Sequence, residues 1–310
     1  MSFLRIEGLH RRFGERVALD GLTVEVARGE TFGVLGPNGA GKSTAFQILA
    51  GMLAADGGRI LLDGAPVDPA RDPQLRARLG VVFQQPSLDG KLTGRENLQL
   101  GASLYCVPRA IARRRIDDAL DLFELADRAD EPAERYSGGM RRRLELARVL
   151  LHEPELLVMD EPSSGLDQAS LRRFWAQLGE LRKRRSLTIL VTTHQPEEAE
   201  QCDRLAVIDR GRVIAEGTPE ELRARVGGDV ITVEAEAPDE IARAIAETFA
   251  LAPRVVDGRI LVEAPRAHEL IPRLVERFPS GRLRAVGMRP PSLADVFVKL
   301  TGRALAQEAN

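Results

Sequence analysis

The feature that most constrains the fold of this chain is a glycine-rich segment between an apolar strand and a helix. It follows the spacing G-x-x-x-x-G-K-S/T in full, with the residues Gly36, Pro37, Asn38, Gly39, Ala40, Gly41, Lys42, Ser43 and Thr44. Residues 30–35 predict a short strand before it, and residues 43–52 predict a helix after it. In such a loop, glycines let backbone N–H groups surround phosphate oxygens, while the helix N-terminus adds positive charge. The chain is therefore expected to bind a phosphorylated ligand on an α/β scaffold.

Two side chains of this loop would carry its chemistry. Lys42 would reach the β- and γ-phosphate oxygens as a point charge, and Ser43 would offer its hydroxyl to Mg²⁺. A phosphate loop also requires a metal-holding carboxylate on a neighbouring strand. Residues 156–159 are apolar and are followed by Asp160 and Glu161, so one buried strand would deliver both carboxylates at its C-terminal end. Asp160 is expected to hold Mg²⁺, and Glu161 to polarise the attacking water.

Composition and charge exclude several classes of protein. The 44 Lys and Arg residues nearly balance the 46 Asp and Glu residues, and the net charge of −2 argues against a broadly basic nucleic-acid binder. No nucleic-acid partner is therefore expected. The longest run without a polar side chain has eight residues, 48–55, whereas a spanning helix needs about 20. With no C-x-x-C pair and no signal-peptide pattern at the start, the sequence predicts a cytoplasmic protein.

Strand and helix signals divide the chain into two predicted domains. Strands and helices alternate through residues 140–198, which indicates a parallel sheet covered by helices. Residues 85–136, helical in period over their central part, are expected to form a helical subdomain within a first domain of residues 1–227. Beyond it the predicted order is β-α-β-β-α-β, with a hairpin signal at Asp257-Gly258. Residues 228–310 are therefore expected to form a small α+β domain of the split βαβ, ferredoxin-like type.

A further segment narrows the class. Residues 136–144 read Tyr-Ser-Gly-Gly-Met-Arg-Arg-Arg-Leu and lie just upstream of the Asp160 strand. This segment resembles the signature motif of ATP-binding cassette (ABC) ATPases. Other segments resemble further motifs of this family and follow in the family order. Phe13 resembles the aromatic residue that stacks on adenine, and Gln84 resembles the Q-loop glutamine. Residues 163–167 resemble the D-loop, and His194 resembles the switch histidine. The resemblance covers roughly residues 3–225.

The resemblance implies an ABC cassette of the P-loop NTPase class, with a mixed sheet and a helical subdomain, that hydrolyses ATP with Mg²⁺. The residues that it assigns to catalysis are Glu161, His194, Lys42 and Gln84. Those that it assigns to Mg²⁺ are Ser43, Gln84 and Asp160. Besides the glycine-rich loop, the residues that it assigns to the nucleotide are Phe13, which would stack on adenine, and Ser137, Gly138, Gly139 and Asp167. The signature residues would serve the nucleotide of an opposite subunit, so a head-to-tail homodimer is implied.

Two departures from the family pattern and the end of the chain refine the resemblance. Tyr136 and Met140 stand where the commonest signature has Leu and Gln, and Phe13 replaces the usual Tyr. These features and residues 290–303 resemble exporter ATPases of the drug-resistance and nodulation-factor type. Because the chain has no span of its own, transport would require permease subunits on a separate chain. These would dock near Gln84 and the helical region, at the inner face of the cell membrane.

Two alternatives stay open on the sequence alone. The first is an ABC ATPase that acts on ribosomes or DNA, although such proteins usually carry two cassettes or long coiled-coil insertions and this chain has neither. The second is the ATPase of an importer, which the tail and the signature disfavour. The module after residue 228 is expected to stabilise the dimer or to regulate it, because it follows a complete cassette and carries no catalytic motif.

Overall fold

Three β-sheets organise the part of the chain that the computed structural model describes, residues 2–278 and 281–305. Residue 1, the first of the predicted domain 1–227, and residues 306–310, the last of the predicted domain 228–310, lie outside the described residues. The first sheet is antiparallel with the order β2-β1-β4-β5, and its strands are β1 (Ser2–Phe13), β2 (Arg16–Ala27), β4 (Gly57–Leu62) and β5 (Ala65–Val67). A tight turn at Asp63-Gly64 joins β4 to β5, with a left-handed backbone at both residues (φ 52° and 78°).

The second sheet carries the strand ends at which the predicted site lies. Its order is β10-β9-β3-β8-β7-β6, and its strands are β3 (Thr31–Leu35), β6 (Leu79–Val82), β7 (Leu156–Asp160), β8 (Thr188–Thr193), β9 (Arg204–Asp209) and β10 (Arg212–Gly217). Neighbouring strands are parallel except for the β9–β10 hairpin. The predicted parallel sheet is therefore confirmed, and an antiparallel hairpin forms one of its edges.

Helices cover this sheet and form the predicted helical region. In the predicted first domain, the helices outside that region are α1 (Lys42–Leu49), α2 (Pro73–Arg78), α5 (Gly138–Val149), α6 (Gln168–Arg185), α7 (Pro196–Ala199) and α8 (Pro219–Ala224). The helical region itself contains α3 (Gly94–Leu104) and α4 (Arg109–Leu122). The break between them falls at Cys106, which is left-handed (φ 53°), and at Pro108, whose ring cannot continue a helix. No helix within 2–278 or 281–305 has both the length and the apolar character that crossing a membrane requires.

Alternate residues of the central sheet pack into two different cores. Leu157 and Met159 of β7 share a core with α5, α6 and the helical region. Leu156 and Val158 of the same strand share the other core with α1 and the first sheet. Because both faces of β7 are covered, its sequence is apolar at every position before the terminal Asp160. That burial fixes the strand ends from which the site is built.

The third sheet confirms the predicted order β-α-β-β-α-β. It is antiparallel with the order β12-β13-β11-β14, and its strands are β11 (Asp229–Ala235), β12 (Arg254–Val256), β13 (Arg259–Ala264) and β14 (Leu283–Arg289). Its helices are α9 (Pro238–Phe249) and α10 (Ala267–Arg277), which share one apolar core with the strands. β13 lies between β11 and β12, which is the split βαβ arrangement. The predicted turn at Asp257-Gly258 is left-handed at both residues (φ 50° and 74°).

The last helix, α11 (Leu293–Thr301), packs against the cassette. Leu293 and Phe297 share a buried core with Leu222 of α8 and Ala199 of α7. Arg303, just beyond α11, donates to the Asp209 carboxylate at 2.7 and 2.9 Å. The predicted domain boundary between residues 227 and 228 stays a prediction, and this core extends across it.

Candidate functional site

The ends of three parallel strands bring the predicted site residues together. Leu35 at the end of β3 pairs with Thr193 of β8, and Asp160 at the end of β7 pairs with Thr192 of β8. The segments that follow these strands therefore emerge at one edge of the sheet, where ligands of open α/β sheets bind. They carry the glycine-rich loop, Glu161 and the predicted switch histidine.

The glycine-rich loop enters α1 through a backbone conformation that requires glycine. Gly41 precedes α1 with a φ of 106°, and a Cβ there would lie 2.5 Å from the carbonyl oxygen of Ala18. The next residue, Lys42, is buried, and its Nζ donates to the carbonyl oxygens of Gly36 (2.8 Å) and Pro37 (3.1 Å). The loop thus holds the Lys42 ammonium at its centre and away from bulk solvent.

Glu161 is the residue on which the predicted catalytic side chains converge. Its carboxylate lies 3.4 Å from Lys42 Nζ and 3.0 Å from His194 Nδ1, and it accepts a hydrogen bond from Gln84 Nε2 at 3.1 Å. Its backbone is left-handed, with a φ of 45°, and its N–H donates to the carbonyl oxygen of Thr192 at 2.9 Å. A left-handed glutamate is strained, and such strain is concentrated at functional sites. The structure therefore places four predicted catalytic residues in direct contact.

The carboxylate of Asp160 accepts hydrogen bonds from two hydroxyl groups. It is buried, and its Oδ1 accepts hydrogen bonds from Thr192 Oγ1 and, at 3.4 Å, from Ser43 Oγ. Carboxylate and hydroxyl oxygens are hard donors, the kind that Mg²⁺ selects. Of the three predicted Mg²⁺ ligands, Ser43 and Asp160 are in contact with each other, whereas Gln84 contacts Glu161.

Burial and neighbouring charges shift the titration of these groups. Desolvation raises the pKa of Asp160 and lowers the pKa of Lys42. The contact with His194 lowers the pKa of Glu161, and the same contact raises the pKa of His194. Glu161 therefore stays ionised at neutral pH, in the form that can accept a proton.

A cleft of about 380 Å³ opens over these groups, a volume in the range of small-molecule sites. The residues that line it are Phe13, Arg16, Ala18, Asn38, Gly39, Gly41, Lys42, Ser43, Thr44, Gln84 and Glu161. Phe13 is 45% exposed at the end of β1, where the hairpin pairs it with Arg16. An exposed aromatic face at the mouth of a polar cleft is available for stacking on a planar group. No sequence motif singles out Arg16, although its hairpin register places it beside Phe13.

Among the described residues that line this cleft, none belongs to the signature segment, residues 136–144. Ser137 precedes α5, and its Oγ accepts a hydrogen bond from the Met140 N–H at 3.2 Å. Asp167 caps α6 in the same way, with Oδ1 accepting from the Ser170 N–H at 2.8 Å. A Cβ on Gly139 would lie 3.1 Å from Ser170 Oγ, so the signature and the start of α6 are close neighbours. The structure thus separates Ser137, Gly138, Gly139 and Asp167 from the residues around Glu161.

No function was predicted from the sequence for three buried polar residues near Glu161. Thr192 could have been found from the strand register, because parallel neighbours β7 and β8 set it beside Asp160. Arg142 lies within the signature segment, which assigns it no role, and it is buried. Glu198 is also fully buried, and burial raises its pKa to about 7. Neither of the last two is signalled by sequence pattern.

Family comparisons agree with the two parts of the fold. Residues 19–164 match the family described as ABC transporter. Residues 217–301 match the family described as ATP-binding protein DrrA1-3-like, C-terminal domain. The second match begins before the predicted boundary and includes α11, which packs on the cassette.

Relatives match the chain over nearly its whole length. Daunorubicin resistance ATP-binding protein DrrA3 of Streptomyces coeruleorubidus is 41% identical over 305 residues, which cover 96% of each chain. Nod factor export ATP-binding protein I of Ralstonia nicotianae is 41% identical over 308 residues, covering 97% of this chain and 94% of that protein. Both resemblances extend through the third sheet as well as the cassette.

Solved structures match the cassette. The structure of cbiO1 from Clostridium perfringens, part of an ABC transporter complex, has a TM-score of 0.67 at 32% identity and covers 81% of this chain and 97% of that one. A dimeric post-hydrolysis ATP-binding cassette with bound ADP and phosphate has a TM-score of 0.62 at 26% identity, covering 69% of this chain and 98% of that one. The shared fold is that of a P-loop NTPase cassette.

Proposed function

This chain belongs to the ATP-binding proteins of ABC transporters, and from that premise we propose that its Glu161 cleft drives export through membrane subunits on a separate chain. It is an ATP-hydrolysing subunit of the exporter-like kind. Those relatives set aside the alternative of action on ribosomes or DNA and favour export over import. The contact of one carboxylate with Lys42, His194 and Gln84 supports hydrolysis at Glu161, and the similarity to export and drug-resistance ATP-binding proteins supports export.

The proposed reaction is hydrolysis of ATP to ADP and phosphate, achieved mainly by positioning and charge neutralisation. Glu161, ionised at neutral pH, accepts a proton from the water that attacks the γ-phosphorus. His194 contacts the γ-phosphate and keeps that water in line. Lys42 neutralises the β- and γ-phosphate oxygens, and Phe13 stacks on adenine. Gln84 joins the water site to the helical region.

The oxygen donors at the strand ends fit Mg²⁺. The Ser43 hydroxyl and the Asp160 carboxylate are in contact, and the Gln84 side-chain amide lies against the neighbouring Glu161. These three residues would hold the ion, in keeping with its preference for oxygen ligands. When bound, Mg²⁺ would neutralise charge on the transferred phosphoryl group.

A second subunit completes each proposed site. The α5 N-terminus, with Ser137, Gly138 and Gly139, is a potential anion site that does not line the chain's own cleft. In a head-to-tail homodimer it faces the γ-phosphate held by the other subunit, and Asp167 lies at the shared interface. Two-fold symmetry makes the two sites equivalent. ATP then holds the dimer closed, and hydrolysis releases it.

The proposed place of work is the inner face of the cell membrane. The permease subunits would dock near Gln84 and the helical region, so that closure of the ATPase dimer moves them. The cargo passes through the permease, so its identity depends on that chain. The third sheet would stabilise the dimer or regulate it.

The decisive test is Glu161→Gln, which keeps the size of the side chain and removes its basicity. We expect the variant to bind ATP while its turnover falls about 1000-fold, the contribution of a well-placed general base. Phosphate release by the purified full chain in ATP and Mg²⁺ measures turnover, and titration calorimetry measures binding.

The matched control for this test is Glu180→Gln. Glu180 is an exposed glutamate on α6 that forms ion pairs with the exposed side chains of Lys183 and Arg184. Its replacement should leave turnover unchanged. Wild-type turnover in the Glu161→Gln variant would refute the catalytic assignment.

A further inference from the structure

A buried ion pair lies between the signature helix and the two loops that carry Gln84 and Glu161. Arg142 and Glu145 sit one turn apart on α5, their side chains are 4% and 0% exposed, and Arg142 Nη1 lies 2.7 Å from Glu145 Oε2. Neither lines the nucleotide cleft. Desolvation of two charges is costly, so their partners need an explanation.

The guanidinium of Arg142 holds the backbone of both loops. It donates to the carbonyl oxygens of Pro162, at 2.7 Å, and of Phe83, and it lies 3.5 Å from the carbonyl oxygen of Asp160. Asp160 and Pro162 flank the catalytic glutamate, and Phe83 directly precedes the Q-loop glutamine. One planar cation therefore fixes the spacing between two loops that are distant in sequence.

Glu145 extends this connection along the Gln84 loop. Its Oε1 accepts from the N–H (3.0 Å) and the hydroxyl (3.3 Å) of Ser87, and Arg148 donates to the Ser87 carbonyl oxygen at 2.6 Å. Because Arg142, Glu145 and Arg148 are spaced by three residues, they lie along one side of α5. That side of the helix holds the loop at both ends.

The left-handed backbone of Glu161 (φ 45°) needs support, because strained conformations persist only where their surroundings fix them. On the basis of the function proposed above for Glu161, we propose that Arg142, oriented by Glu145, is a positioning residue that ties the Gln84 loop to Glu161. A shift of either loop then moves the other relative to bound ATP. Arginine suits this role because its donors lie in one rigid plane.

The informative variant is the double replacement R142M/E145L. Replacing both charges of a buried pair by apolar side chains of similar size commonly preserves folding, whereas each single replacement leaves a buried charge without its partner. We expect the thermal unfolding midpoint and the Kd for ATP to stay near their wild-type values. The kcat for hydrolysis falls about 100-fold at a nearly unchanged KM, since a misplaced base affects only the chemical step.

Combining this variant with Gln84→Ala distinguishes a coupling role from a merely structural one. If the pair transmits the position of the Gln84 loop, Gln84→Ala lowers kcat in the wild-type background. It then has little further effect in R142M/E145L, because both changes break the same connection. Losses that multiply independently would overturn the coupling.

The matched control is the pair Arg115 and Glu153, which lies outside the signature segment. Arg115 of α4 donates to the carbonyl oxygen of Leu151 at 2.8 Å and forms an ion pair with Glu153. These contacts lie before the start of β7, away from the end of the strand that carries Asp160. The variant R115M/E153L removes the same kinds of charge, and we expect it to keep the wild-type kcat.

The outcomes separate this inference from the proposed function. A wild-type kcat in R142M/E145L, with Glu161→Gln inactive, overturns the inference and leaves the function standing. Undiminished turnover in Glu161→Gln overturns the function itself. If the double variant does not fold, Arg142→Lys decides: it keeps the charge but loses the planar fork, so kcat falls about tenfold in a folded chain. A wild-type kcat in that variant overturns the inference.

Discussion

The edge of the central sheet and the core of the third sheet differ in the number of charged side chains that they bury. Around Glu161, the charged residues Lys42, Asp160, Arg142 and Glu145 are all buried. The core of the third sheet consists of apolar side chains. In the described part of the chain after residue 228, Asp295 is the one buried charged or polar residue, and it forms the capping box of α11 with Ser292.

This difference distinguishes a region built for chemistry from one built for stability. A buried charge destabilises a fold unless partners satisfy it, so a cluster of buried charges marks a candidate functional site. An apolar core stabilises the fold and makes no demand on a ligand. Replacements at the strand ends should therefore change function, and replacements in the third sheet should change stability.

The largest effect is expected for Lys42→Met, which keeps the length of the side chain and removes its charge. The Kd for ATP should rise about 1000-fold, or about 4 kcal/mol, because a buried charge partner of the phosphates is lost. Titration calorimetry measures the change, and the exposed lysine variant Lys91→Met is the control. Equal ATP affinity in the two variants would show that the buried charge of Lys42 does not bind the nucleotide.

A smaller effect, on stability alone, is expected for Ile231→Ala in β11. Ile231 is fully buried in the core of the third sheet, so the free energy of unfolding should fall by about 3 kcal/mol. The kcat at 25 °C should not change, because no catalytic side chain is attached to this core. Urea unfolding and phosphate release check the two expectations.

The matched control for Ile231→Ala is Ile189→Ala in β8. The same truncation in the strand that leads to His194 should lower both stability and kcat. If both variants lose kcat equally, the two regions are not functionally distinct.

The smallest effect concerns Glu198, a buried acid near the site whose pKa burial raises to about 7. Because its pKa is higher in the folded than in the unfolded chain, stability present at low pH is lost as pH rises from about 4.5 through 7. Glu198→Gln stays neutral, so its advantage over the wild type should grow by about 2 kcal/mol between pH 5 and pH 8. Urea unfolding across this range measures it.

Glu197→Gln, an exposed neighbour, is the control for the pH experiment, and its stability should follow that of the wild type. A Glu198→Gln variant whose stability falls with pH as steeply as the wild type would show that Glu198 does not carry this dependence.

Most of the fold could be predicted because its signals are local. The glycine spacing around Lys42, the apolar run before Asp160 and the turn at Asp257-Gly258 each depend on a few neighbouring residues. The boundary between α3 and α4 was harder to predict, because the helical spacing of apolar residues continues through the break that Pro108 introduces. The roles of the site residues stay proposals that the variants above test.

The buried partners of the site were not predictable in the same way. Arg142 bonds to Phe83 and Pro162, which lie 59 and 20 positions away along the chain. A run of three arginines has the same appearance in sequence whether its middle member faces solvent or three carbonyl oxygens. Only the packing of α5 against both loops distinguishes these cases.

Local sequence patterns were sufficient to locate the phosphate loop, the acidic strand end and the two sheet-forming regions. They were sufficient because glycine spacing and the alternation of apolar residues act over a few positions. Three features follow from the packing of distant segments: which charges are buried, which of them contact Glu161, and the position of α11 against the cassette. The free energy of a charged group depends on its solvation and its neighbours, and in a folded chain these come from segments distant in sequence.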